Sequence, residues 1–310
     1  MRNPLLNYSF WGYEVNDSRL KERIQEGNNV NETNIHNDNP LLYCLRTSRH
    51  TKYLKLLINA GADINFKNKA CYSFLYKAIQ DDKPISIIRL LIKAGCDLYP
   101  TDLKGKPISL LHCAVIRYDT DIQIIKELLN KGIDINIKNQ NGETPIQYLI
   151  GHYSSVKRYE EVLKFLLKNG ANINIVDNLG DNALTNKHNS VWSEQIEFLF
   201  KNTSLNINHQ NREGNTALHD TCSNEISSLL LSLLKHNPDV NIQNKKGLTP
   251  LHLLAQKKKY YFKEYEFEKL LEHGANPKLK DNSGKTALDY LKKHETIHLY
   301  EKLKTLTCMT

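Results

Sequence analysis

One stretch constrains this chain more than any other: Asn237-Pro-Asp-Val-Asn-Ile-Gln-Asn-Lys-Lys-Gly-Leu-Thr-Pro-Leu-His-Leu-Leu-Ala255. It reads as a turn, a short extended finger with glycine near its tip, and the capped start of an amphipathic helix. Weaker copies run along almost the whole chain. Their opening residues are Gly27, Gly61, Gly95, Gly132, Gly170, Ser204, Asn237 and Gly274, spaced by 34, 34, 37, 38, 34, 33 and 37 residues. A second marker stands ten residues after each opener: Asn37, Cys71, Gly105, Gly142, Gly180, Gly214, Gly247 and Gly284. The offset of ten is constant while the rest of the unit varies, as a rigid finger joined to length-tolerant helix connections requires. A period of this length means stacked units that bury their apolar faces against one another.

Within this period, Gly214-Asn-Thr-Ala-Leu-His219, Gly247-Leu-Thr-Pro-Leu-His252, Gly284-Lys-Thr-Ala-Leu-Asp289 and Gly142-Glu-Thr-Pro-Ile-Gln147 are the best copies of one motif. Leu56-Leu-Ile-Asn-Ala-Gly-Ala-Asp-Ile-Asn65 and Leu166-Leu-Lys-Asn-Gly-Ala-Asn-Ile-Asn174 supply its other half. These residues resemble the ankyrin repeat over roughly 18–305. The resemblance implies an all-α solenoid of helix pairs with short β-hairpin fingers, about eight units long. It also implies that His219 and His252 bond the backbone of neighbouring turns rather than a metal or substrate. Lys69-Ala-Cys-Tyr-Ser-Phe74 and Gly180-Asp-Asn-Ala-Leu184 depart from the motif, and Gly105 to His112 carries two extra residues.

Local chemistry supports the same reading. Thr249 before Pro250 suits a helix start, because the hydroxyl accepts from a free amide and proline lacks the donor that would go unpaired. Gly170 and Gly274 follow apolar helical runs and suit a left-handed C-terminal cap. The leucine pairs at 56–57, 90–91, 128–129, 166–167, 233–234 and 270–271 fall at helical positions facing the next unit and read as core. Residues 1–17 form an aromatic-rich capping or docking segment, Ser18 to Gln25 a helix completing a truncated first unit, and 306–310 a tail. The expectation from these bounds is that no catalytic module is appended. A chain of 310 residues would ordinarily suggest about two domains, a prior that a repeat array relaxes.

The six cysteines are scattered and form no metal or redox spacing, so they read as reduced thiols of a cytosolic protein. No apolar run approaches the ~18 residues of a membrane span, and residues 1–10 lack a secretory signal pattern. Phosphate-binding loops, dinucleotide turns, zinc-protease helices and nucleophile elbows are all missing from the sequence. Asp63, Asp97, Asp134 and Asp239 recur at one repeat position, where a turn role explains them. Cys113 beside His112 is the nearest approach to a nucleophile pair, but helix neighbours point in different directions. The expectation is a protein without catalytic, metal or cofactor sites.

What remains is surface. A net charge of +8 suits an acidic partner or nucleic acid, although the abundance of Lys, Asn and Ile together also suggests a low-GC genome. Lys138, Arg212 and Lys245 lie on finger tips. Lys257, Lys258, Lys259, Tyr260 and Tyr261 form a basic and aromatic insertion between paired helices. These eight are the candidate partner-binding residues, since Arg and Tyr commonly anchor interfaces. The reading is a monomeric protein–protein adaptor that holds a partner in its concave groove. Its setting is the cytoplasm, with the nucleus as a second compartment. Its flavour resembles the ankyrin proteins with which poxviruses and intracellular bacteria engage host proteins. The rival is nucleic-acid or acidic-partner binding through the basic edge.

Overall fold

The computed structural model describes residues 4–6, 15–46, 48–67, 73–102, 104–117, 122–152, 156–185, 193–224, 227–257 and 264–291. The chain divides into two compact units, Met1–Gln140 and Asn141–Thr310. The first holds α1 (Asp17–Gln25), α2 (Pro40–Arg46), α3 (Leu54–Asn59), α4 (Phe74–Gln80), α5 (Ile85–Lys93), α6 (Leu110–Val115) and α7 (Ile122–Asn130). Here α2, α4 and α6 stack in one layer, and α5 and α7 neighbour each other in a second. The second holds α8 (Pro145–His152), α9 (Val156–Lys168), α10 (Ser193–Asn202), α11 (Ala217–Asn224), α12 (Ser227–Leu234), α13 (Pro250–Ala255), α14 (Glu264–Glu272) and α15 (Ala287–Leu291). Its layers are α11, α13 and α15 on one side and α10, α12 and α14 on the other.

Both sequence markers correspond to backbone shape. Seven of the eight openers have positive φ, from 51° at Asn237 to 93° at Gly170; Ser204 is the exception. At Gly61 the amide bonds the Ile58 carbonyl at 3.0 Å and the Ala62 amide bonds Leu57 at 3.0 Å. Those two bonds satisfy carbonyls that a helix end leaves free, and they need a left-handed residue between them. At the other end of a unit, Thr249 caps α13: its side chain accepts from the His252 amide, and Pro250 fills the first helical position. The stop at Gly61 and the start at Thr249 therefore both fall where the sequence places them.

The core is one leucine from each pair. Leu57, Leu91, Leu128, Leu166, Leu233 and Leu270 are fully buried, and each such burial contributes about 1.5–3 kcal/mol. Five of their partners stay half-exposed, while Leu234 is buried as well. Residues 183–185 form a turn rather than a helix, which matches the degenerate motif there. Near the N-terminus Leu5 is buried, and the Tyr53 hydroxyl donates to the Val15 carbonyl at 3.0 Å.

The fingers differ from hairpins in one respect. Among the described residues no strand forms, and the single bridge joins Thr101 to Pro107. Short backbone turns, such as the Asn244 amide on the Leu248 carbonyl at 2.9 Å, close the fingers together with side chains. Asp239 accepts from the Asn241 amide at 2.9 Å, and Asn244 from the Lys246 and Leu248 amides at 2.9 and 3.0 Å. Amides that a strand ladder would use are already taken by these Asx turns. Asp63, Asp97 and Asp134 make the same turn as Asp239, each at 2.9 Å.

Candidate interaction surface

Three sets of hydrogen bonds tie fingers to their successors, and together they decide which side chains are left for a partner. The first set uses one asparagine per finger. Asn65 donates its Nδ2 to the Gly95 carbonyl at 3.2 Å and accepts from the Asp97 amide at 2.7 Å. Asn31 bridges to Gly61 and Asp63, and Asn241 to Gly274 and Asn276, in the same two-bond fashion. A planar amide with one donor and one acceptor side suits this bridge. Tyr99 occupies the equivalent position two residues after Asp97, cannot make the bridge, and stands 55% exposed.

The second set is buried. His219 Nδ1 accepts from the Thr216 amide at 3.1 Å, and its Nε2 reaches the Leu248 carbonyl of the following unit at 2.9 Å. His252 repeats this with Thr249 and Lys285. Gln147 does the same with amide chemistry, accepting from Thr144 and donating to Ile175 and Asp181 carbonyls. Acceptance from an amide fixes the unprotonated nitrogen of His219, and burial pushes its pKa down to about 4. These histidines are structural fasteners.

The third set runs along the tips of the second compact unit. The amides of Asn178, Arg212, Lys245 and Asn282 donate to the carbonyls of Asn141, Leu179, Glu213 and Lys246, at 2.9, 3.0, 3.0 and 3.1 Å. The tip glycine permits that approach. A Cβ at Gly214 would lie 2.8 Å from the Lys245 nitrogen and 3.0 Å from the Asn244 Cα. Gln210 and Gln243 are spent here too, each donating to its own tip glycine carbonyl and to the next finger.

What the tips leave outward is a fixed row. Arg212 and Lys245 are exposed on adjacent tips, as expected, and Glu213, Lys246 and Asn282 are exposed beside them. Leu179, 53% exposed on the preceding tip, adds an apolar element. The sequence reading missed Leu179 and Lys246, although both directly precede or adjoin a tip glycine, the position whose side chain faces outward. Lys138 is exposed in the first compact unit. Lys257 differs: its ammonium is buried, near enough to Cys222, Glu266 and Asp220 for their charges to act on one thiol. Lys258, Lys259, Tyr260 and Tyr261 lie outside the described residues.

Burial pushes the Cys113 thiol up to about 11, the reverse of what a thiolate nucleophile needs. Among the described residues no group of three His, Cys, Asp or Glu is placed to hold a metal, and no helix is long and apolar enough to cross a membrane.

Comparison with known proteins agrees with this geometry. Models for ankyrin repeats match residues 36–69, 75–177 and 199–254, together more than half of the chain. An ankyrin repeat protein of Acanthamoeba polyphaga mimivirus is 29% identical over 245 residues, covering 77% of this chain and 30% of its own length. A second from the same virus is 31% identical over 203 residues, covering 48% of this chain and 34% of its own. The ankyrin repeat protein OPG189 of Variola virus is 22% identical over 263 residues, or 70% of this chain and 46% of its own. The chain thus spans about a third to a half of the length of these relatives. The crystal structure of the ankyrin repeat protein EF0377 shares the fold, with a TM-score of 0.50 and 24% identity over 59% of this chain and 92% of that one.

Proposed function

Because the chain belongs to the ankyrin-repeat family, whose repeats are generally protein-binding modules, we propose that it is a non-catalytic adaptor that holds a partner protein on its finger edge. The observation that carries this reading is the tip row. Arg212, Lys245 and Lys246 stand exposed on consecutive fingers whose backbones are bonded to one another. Side chains mounted on a pre-formed backbone lose little freedom on binding, which is how a modest contact area becomes a usable affinity. The charge of the row favours a partner that is acidic at the contact, and Leu179 gives it an apolar neighbour to grip. Viral relatives support a setting in a host cell, and the free buried thiols Cys44, Cys96 and Cys222 suit its reducing cytoplasm.

The test is affinity capture from nuclease-treated cell lysate at physiological salt. The bait is wild type or a variant carrying Arg212→Glu, Lys245→Glu and Lys246→Glu, with folding checked by circular dichroism. The expected outcome is a discrete protein captured by wild type and lost by the folded variant. Capture of nucleic acid alone, in an untreated lysate and with steep salt dependence, would overturn the adaptor in favour of nucleic-acid binding.

A further inference from the structure

The layer formed by α10, α12 and α14 carries a second feature, remote in kind from the finger tips. A cavity of about 410 Å³ opens between α9, α10 and the end of α12, lined by Glu160, Glu197, Phe198, Phe200, Lys201 and His236. The lining combines two phenyl rings, two carboxylates, Lys201 and His236, and Lys164 and Lys235 reach the carboxylates from its rim. We propose that this cavity binds the guanidinium of an arginine presented by an extended segment of a partner protein.

Three observations carry it. First, the chain's own cations gather at the rim. Lys164 pairs with Glu160 at 3.0 Å while its Nζ lies 5.0 Å from the centre of the Phe198 ring, so carboxylate and ring already act together on one cation. Second, the ties to Glu197 are loose. Lys235 stands 3.6 Å away with a side chain 68% exposed, a surface pair that contributes little and is readily displaced. His236 Nε2 lies 3.3 Å from the Glu197 carboxylate without making a hydrogen bond, so Glu197 is held only by loose contacts that a stronger donor displaces. Third, the His236 ring is stacked on Phe200 with centroids 4.2 Å apart. That fixes an aromatic wall without any ligand.

The chemistry selects arginine over lysine. A planar, weakly hydrated guanidinium lies flat on an aromatic face and donates two parallel bonds to a carboxylate, whereas an ammonium such as that of Lys164 meets the same two groups only as a point charge. The volume exceeds what one guanidinium fills, which leaves room for the stem and a flanking residue of the segment.

The test titrates the full chain with acetyl-Gly-Arg-Gly-amide and its lysine and citrulline counterparts, following backbone amides by heteronuclear NMR. The expected result is arginine binding with a dissociation constant on the order of 1 mM and shifts centred on α10. Glu197→Gln, at an exposed position, should weaken it about tenfold, and Phe200→Leu similarly. Lys245→Glu, on the finger tips, should leave it unchanged. Equal binding of citrulline or lysine, shifts centred elsewhere, or insensitivity to Glu197→Gln would overturn the proposal. None of these results depends on the finger edge being a partner site.

Discussion

Gly214 and Gly284 have nearly the same backbone angle, φ of 77° and 74°, yet their surroundings differ. The first is pressed against the backbone of the next finger, while none of the described residues lies within 4 Å of a Cβ placed at the second. Gly284→Ala should therefore cost only the left-handed strain of about 1 kcal/mol, and Gly214→Ala a further ~2 kcal/mol for displaced backbone. Urea unfolding of the two variants measures the difference. His219 makes a separate prediction at this scale. Its folded pKa is depressed to about 4 from 6.5, so it contributes stability that is present above pH 6.5. As pH falls from 6.5 toward 4 the unfolded chain takes up a proton that the folded chain refuses, and up to about 3 kcal/mol is lost. His219→Gln, which copies the chemistry of Gln147, should flatten the stability profile across that window.

The finger ties neighbouring units together, and at Tyr99 one such tie lacks its asparagine. There the asparagine bridge made by Asn31, Asn65 and Asn241 is absent. Tyr99→Asn should restore two hydrogen bonds to the following finger and raise stability by about 1 kcal/mol, read as an increase in melting temperature. The same element shows what was legible in the sequence. The left-handed openers, the capped helix starts and the buried leucines obey local rules, so the residues announced them. The asparagine bridges could be seen only as a recurring letter, since their meaning depends on a carbonyl about 30 residues away. Lys257 was read as surface because it sits in a lysine run, yet its ammonium is buried near Cys222, Asp220 and Glu266, which no linear spacing reveals. The arginine cavity was invisible for the same reason: Glu160, Glu197 and His236 come from three successive units.

At the scale of the whole chain, stability is a sum of unit terms and nearest-neighbour joints. Damage should therefore stay local. Gly214→Ala should speed hydrogen exchange in α11, α12 and α13, which flank the affected fingers, and leave α2 to α5 unchanged, a pattern that mass spectrometry resolves. Uniform acceleration along the chain would contradict the additive picture. The constant ten-residue span from opener to tip has one more consequence. The joints described here are made inside that span or by the histidine or glutamine just beyond it, while differences in length fall in the connections between helices, the two extra residues between Gly105 and His112 apart. A cut at a left-handed opener therefore separates the chain into interchangeable cassettes. One cassette could be duplicated, deleted or replaced by another without resetting the register of its neighbours, so new specificities can be spliced in a finger at a time.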